Sequence, residues 1–451
     1  MRPTLLRYPL GRWVEPAAAF VALYADRTDV AWLDSATSGG LSYLAASSRA
    51  ISSNDVDVLE YMRGDLAANR LDASDSSAAG SGFSLGWIGW IGYETRFATM
   101  GVRRTREAAT PDAAFLWIDR ALEFDHEARE VRLVALGSQW DSDLLAWREE
   151  VVRLLGDLRT RESPEPMNVP ERRPAATWRD TDAEYLAMIR ACKAAIAAGE
   201  AYQLCLTTLA SIATGPGATP DPVATYLALR ASSPSHHGAL LRIGEISLLS
   251  SSPEQFLSVS PGGTVESRPI KGTRPRGATP EQDAVLAVEL LASEKERAEN
   301  LMIVDLMRND ISRVSRIGSV EVPSLLAVES YAQVHQLVST VRGQLEDGLV
   351  GMDAVVACFP AGSMTGAPKS SATRILDELE GHPRGIYAGA FGYFGLDGRI
   401  DLAMVIRSIV LTPEGATVGA GGGITALSNP DEELAEVKLK AAVLLRVLGC
   451  D

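Results

Sequence analysis

The stretch "SRPIKGTRPRG" at 267–277 carries one lysine, Lys271, among Arg268, Arg274 and Arg276. A free lysine amine has a pKa near 10.4, so only about one in a thousand is unprotonated near pH 7. Burial or neighbouring cations lower that value, which makes Lys271 a candidate nucleophile beside three arginines. The ordinary alternative is a solvated charge in a basic loop. Two acidic pairs could supply a cation site: Glu296 and Glu299 in "SEKERAENLMIVDLMRND", and Glu433 and Glu436 in "NPDEELAEVKLKAA". Spacing of i, i+3 places each pair on one helix face, and a few carboxylates with water and ligand oxygens suit Mg²⁺. Such pairs also occur on solvated faces, where Glu436–Lys440 is an ordinary i, i+4 ion pair.

In "VGAGGGITALSNPDEE" the glycines Gly419, Gly421, Gly422 and Gly423 are expected after a strand and shortly before a helix. There their N–H groups could cradle an anionic oxygen, a flexible hairpin turn being the alternative. The segment "FPAGSMTGAPKS" superficially suggests a phosphate loop. Only three residues separate Gly362 from Gly366, however, and Ala-Pro precedes Lys369, so nucleotide hydrolysis is disfavoured. His335 lies in a strand-like run, where histidine is more often structural than catalytic. Glu254, after a proline in "SSSPEQFL", could be a half-buried carboxyl kept protonated as an acid. Tyr387 and Arg407 lie on adjacent apolar runs. An arginine interrupting an apolar strand needs an anion from protein or ligand.

The elements that must hold these groups read as mixed α/β. "GSGFSLGWIGWIGYE" (80–94) has the Gly/Trp character of a buried strand approached closely by other backbone. "TDAEYLAMIRACKAAIAAGEAYQLCL" reads as a helix stopping at Gly199, then a strand from Ala201. A long helical run is expected at 280–310, a hairpin at 387–411 and a last helix at 431–448. The tract at 73–82 reads as a Ser/Gly loop. The proline-rich segment 161–180 reads as a linker between an N-terminal region, 1–160, and a catalytic domain, 181–451.

With 43 basic and 58 acidic side chains the formal charge is −15, which disfavours nucleic acid or an anionic membrane surface as partner. A small anionic ligand stays compatible through the cations concentrated at 268–276. Four scattered cysteines without a CxxC pair argue against a disulfide framework or thiolate metal site. The first residues lack the apolar core of a signal peptide, and no 18-residue apolar run occurs, so a cytoplasmic location is expected.

The ordered motifs "AYQLCL", "SSPEQFL", "RPIKGTRPRG", "KERAENLMIVDLMRND", "VHQLVS", "PAGSMTGAPK", "RGIYAGAFGYFG" and "GAGGGITALSNPDEELAEVKLKA" resemble the chorismate-utilising enzymes, specifically their aminodeoxychorismate-forming branch. Weaker echoes are "AWLDSA" and "GWIGYE". The resemblance implies an α+β body of two large antiparallel sheets packed face to face with helices outside. It implies a Mg²⁺ site at Glu296, Glu299, Glu433 and Glu436, with Glu299 and Glu436 as the direct ligands. Tyr387, Arg407, Lys440 and the amides of Gly421, Gly422 and Gly423 would hold the two carboxylates of chorismate, with Thr365 and Thr273 close by. Glu254 and His335 would line the reacting ring. Asp34 and Ser35 fall where relatives bind tryptophan.

Two positions sort the branches. Relatives using water as nucleophile carry a lysine base where this chain has Gln203, which cannot abstract a proton from water. Anthranilate-forming relatives, the runner-up reading, usually carry alanine at the position of Lys271. The resemblance thus implies a covalent Lys271 intermediate, Glu254 as acid, and ammonia from a separate glutamine amidotransferase subunit, since no cysteine sits in a glycine-flanked nucleophile elbow. The implied product is 4-amino-4-deoxychorismate, the precursor of 4-aminobenzoate for folate.

Overall fold

The computed structural model describes residues 4–35, 39–71, 82–158, 175–213, 219–331 and 334–450. Residues 73–81 of the Ser/Gly tract and 161–174 of the proline-rich segment lie outside them. Two sheets of twelve and ten strands, antiparallel at every pairing, form the centre. Strands from before and after residue 160 share both sheets: Val30–Asp34 pairs with His237–Ile243, and Gly86–Ile91 pairs with Ala390–Gly395. The break at 161–180 is therefore a boundary in sequence that neither sheet respects.

The layers follow from which face of each strand is apolar. Between the sheets lie Ile88, Trp90, Leu116 and Phe391 of one, and Ala31, Ala239, Leu241, Leu248 and Val410 of the other. Outside the larger sheet, Leu204, Leu206 and Val418 pack on the helices Asp182–Ala197, Lys369–Glu380 and Pro430–Val447. Outside the smaller one, Phe256, Leu257 and Val341 pack on Glu294–Ser312 and Gly351–Cys358. With both faces covered, strands run as near-continuous apolar stretches. Gly86–Ile91 is buried at every residue. A Cβ at Gly89 would fall 2.0 Å from the Ala114 carbonyl oxygen, which explains the glycine there.

Three expected elements come out differently. The run 280–310 is two helices, Pro280–Ala292 and Glu294–Ser312, divided at Ser293. Ser293 is extended, and its hydroxyl accepts from the Glu296 amide as an N-cap. The glycines 419–423 do not follow a strand; they lie inside the strand Gly415–Ile424. Arg407 lies in no strand. It occupies the corner between Ile400–Met404 and Ser408–Thr412 at φ +51°, a left-handed conformation unusual outside glycine. Among the described residues no helix is long and apolar enough to cross a membrane.

Candidate active site

The strand Gln203–Ala213 supplies one wall. Leu204 and Leu206 point into the helical layer, so by alternation Gln203, Cys205 and Thr207 point to the opposite face. Gln203 is fully buried, and among the described residues neither polar atom of its side-chain amide has a hydrogen-bond partner. Its antiparallel neighbour is the glycine strand, with Cys205 opposite Gly423 and Thr207 opposite Gly421. The glycines make room for named groups. A Cβ at Gly423 would meet Gln203 Nε2 at 2.4 Å, at Gly419 the Tyr387 ring at 2.1 Å, and at Gly422 a Glu433 oxygen at 3.1 Å.

The pairing of Gly415–Ile424 with Ser408–Thr412 ends at Val418, so Gly419–Gly423 have a strand neighbour on one side only. On the open side Lys440 Nζ donates to the Gly421 carbonyl at 3.0 Å and pairs with Glu436 at 2.8 Å. By strand geometry the Gly421 and Gly423 amides face this same side.

The acidic pairs meet as expected from their spacing, with one exception. Glu299 and Glu433 are buried, and Lys295 Nζ lies 3.4 Å from Glu433 within the fields of Glu299 and Glu436. Ser428 Oγ donates to Glu433 at 2.7 Å. Burial raises the Glu299 carboxyl above the ordinary range, against the pull of Lys271 and Lys295. Burial would also raise Glu436, but Lys440 outweighs it with help from Lys295 and Lys271, and the carboxyl is lowered. Glu296 instead turns toward Arg274, 3.6 Å away. Among the described residues no three acidic, histidine or cysteine side chains converge into a closed metal cage. Glu299 Oε1 is nevertheless buried without a partner. An orphaned carboxylate oxygen fits Mg²⁺, which takes few protein ligands and completes its shell with water and substrate.

Lys271 lies on the strand Ile270–Pro275, and its side chain makes no hydrogen bond or ion pair among the described residues. The charges in its reach are carboxylates, Glu254, Glu299 and Glu436. The expected arginine neighbours are engaged elsewhere. Arg268 pairs with Glu329, Arg274 with Glu289 at 3.1 Å, and Arg276 with Asp283 at 2.6 Å. Each guanidinium is thus paired with a carboxylate of its own. Burial raises the Glu254 carboxyl, opposed by Lys271 and by hydrogen bonds from Ser363 and the Ile270 amide.

Arg407 makes no hydrogen bond or ion pair through its side chain among the described residues, and burial lowers its guanidinium. Tyr387 is buried beside it and pushed well up by that burial. Thr365 is fully buried, its hydroxyl donating to the Ala361 carbonyl at 3.1 Å, while Thr273 is exposed at the rim. His335 is buried with both ring nitrogens committed, to Ser330 Oγ at 2.8 Å and Asp283 at 2.9 Å.

Asp34 and Ser35 border a different cavity of about 260 Å³, shared with Tyr43, His237, Tyr393 and Asp401. Arg230 holds the Asp34 carboxylate at 2.6 Å. Lys295 and Ser363 escaped the sequence reading. Each lies inside a motif singled out for another residue, Lys295 beside Glu296 and Ser363 within "PAGSMTGAPK".

A family model described as chorismate binding enzyme matches residues 28–446. The chain is 42% identical over 463 residues to an aminodeoxychorismate synthase of Streptomyces pristinaespiralis, covering 96% of this chain and 63% of that protein. For the chloroplastic aminodeoxychorismate synthase of Arabidopsis thaliana the identity is 40%, with 85% and 42% covered. The chain thus spans less than two thirds of each of these relatives. Anthranilate synthase component I from Streptococcus pneumoniae superposes with a TM-score of 0.74 at 29% identity, covering 99% of this chain and 92% of that one. The menaquinone-specific isochorismate synthase MenF of Escherichia coli, at 16% identity and a TM-score of 0.72, shares the fold.

Proposed function

Because the chain belongs to the chorismate binding enzyme family, we propose that the site around Lys271 aminates chorismate at C4, giving 4-amino-4-deoxychorismate for 4-aminobenzoate and folate synthesis. The observation that carries this reading is a set of polar groups without protein partners among the described residues: the buried Gln203 amide and Glu299 Oε1, and the half-buried Arg407 guanidinium and Lys271 amine. Buried polar groups are otherwise almost always paired, so a ligand with carboxylates and a ring hydroxyl is the natural complement. Arg407, Tyr387, Lys440 and the Gly421 and Gly423 amides bind and orient the two carboxylates; the Gly422 amide faces the neighbouring strand and takes no part. Glu299, Glu433 and Glu436 would hold Mg²⁺, which when bound neutralises carboxylate charge on the substrate.

In the proposed reaction Lys271 Nζ, as the free amine, forms a bond to ring C2. The two ring double bonds shift, and the C4 hydroxyl departs as water with the proton of Glu254. Ammonia then bonds to C4, the double bonds shift back, the C2–N bond breaks to return Lys271 as the free amine, and the proton shed by the new ammonium returns to the Glu254 carboxylate. Gln203 offers no base to activate water, which keeps the second step for ammonia. A glutamine amidotransferase partner supplies that ammonia. Incubation with chorismate, Mg²⁺ and ammonium, followed by product mass and fluorescence, tests the reading. Fluorescent anthranilate would replace it with the runner-up, and absence of turnover would leave a binding protein. The separate Asp34–Ser35 cavity, with Tyr43, Tyr393 and Asp401 on its walls, is assigned to tryptophan. Equilibrium dialysis tests this, and no binding at millimolar tryptophan removes the assignment.

A further inference from the structure

Asn300 follows Glu299 on the helix Glu294–Ser312 and is fully buried. Its Nδ2 donates to the Leu337 carbonyl at 3.2 Å and the Pro269 carbonyl at 3.5 Å. Its Oδ1 accepts from Ser339 Oγ at 2.6 Å. Ser339 closes the junction, its amide donating to the same Pro269 carbonyl at 3.2 Å and its hydroxyl accepting from the Leu326 amide at 2.9 Å. One side chain thereby ties the helix of Glu299 to the backbone two residues before Lys271.

The strand ladder alone does not fix Lys271. Ile270 pairs with Val338 and Thr273 with Gln336, with a register irregularity between them, so Lys271 and Gly272 lie in a bulge. Gly272 has φ +80°. A bulge interrupts the regular ladder and re-aims its side chains, so something outside the ladder must set where the lysine points.

We propose that Asn300 is a positioning residue that fixes the spacing between the Lys271 amine and the Glu299 carboxylate. This inference rests on the reading of Lys271 as nucleophile. Asn300→Asp keeps the shape and the acceptor but loses both Nδ2 donations. Steady-state kinetics at saturating ammonium and Mg²⁺ should show kcat lowered roughly 10- to 100-fold with KM for chorismate within about threefold, since misplacement by about 1 Å acts on the chemical step. Ser339→Ala, which removes the hydroxyl's bonds to Asn300 Oδ1 and from the Leu326 amide, should lower kcat roughly three- to tenfold with the same unchanged KM. A kcat within about twofold of wild type alongside a lowered melting temperature would make Asn300 structural only and overturn the inference. So would a loss carried wholly by KM. If Asn300→Asp fails to fold, Ser339→Ala decides alone, and an unchanged kcat sinks the proposal. Lys271→Ala run in parallel isolates the underlying reading, which fails separately if that variant aminates chorismate at the wild-type rate.

Discussion

Two groups of charges lie along the strand Gln203–Ala213, and they are built on opposite rules. Every side-chain nitrogen of Arg384 has a partner, as has every carboxylate oxygen of Glu380 and Glu94. The guanidinium makes two bonds to Glu380, at 2.7 and 2.9 Å, and others to the carbonyls of Met364 and Cys205, and lies 4.2 Å over the Tyr93 ring. Glu380 also accepts from the Thr207 amide and hydroxyl, and Glu94 from the amides of Arg384 and Gly385. Around Lys271 the amine, the Arg407 guanidinium, the Gln203 amide and one Glu299 oxygen have no protein partner among the described residues. Saturated networks hold a frame together, whereas unsaturated ones carry a cost in the free protein that a complementary ligand removes.

The largest effect expected is on the unsaturated side. Lys271→Ala should cost roughly 10³-fold or more in 4-amino-4-deoxychorismate formation while leaving the melting temperature nearly unchanged. Intact-mass analysis of acid-quenched enzyme should show a substrate adduct in wild type and none in the variant. The saturated side should behave inversely. Arg384→Met strands the buried Glu380 and should destabilise the fold by about 3–5 kcal/mol in urea titration; a change below about 1 kcal/mol would erase the contrast. Arg407→Ala should weaken kcat/KM for chorismate by about 2–4 kcal/mol, roughly 30- to 1000-fold, with little change in stability.

Acidity sharpens the contrast further. Burial raises the Glu254 carboxyl above its ordinary value of 4.5. Its protonated form is therefore favoured by folding, a contribution fully present below the unfolded value and lost as pH rises through the folded one. The rate should fall over that same rise, since the acid loses its proton, and Glu254→Gln should flatten the pH dependence of the melting temperature there. A variant with the wild-type pH dependence would remove Glu254 as the group responsible. The smallest effect concerns Gln203→Met. Replacing two unpartnered buried polar atoms by an apolar chain of similar length should stabilise the ligand-free protein by about 1 kcal/mol while slowing amination. Destabilisation of that size would show that the amide is satisfied after all.

Much of the site was legible because its motifs are local. The i, i+3 glutamates, the last helix and the Gln203 strand each follow from a few neighbouring residues. Glu299, Glu433 and Glu436 accordingly gather near one another and share Lys295. What failed was inference from sequence neighbours. Arg268, Arg274 and Arg276 flank Lys271 in the chain, yet carboxylates from distant segments claim all three. The glycines 419–423 read as an anion cradle following a strand, with a turn as the alternative, but they lie inside the strand, which needs them where Tyr387, Gln203 and Glu433 press against its backbone.

The sequence by itself determined the alternation that buries both sheets, the helix starts and the chemical types in the site, because these depend on contacts within a turn or a strand. Only the tertiary structure decided which charges are paired and which are left open. Electrostatic partnership depends on distance in space, and Lys271 meets Glu254, Glu299 and Glu436 from three separate segments, two of them helices that cover the sheets.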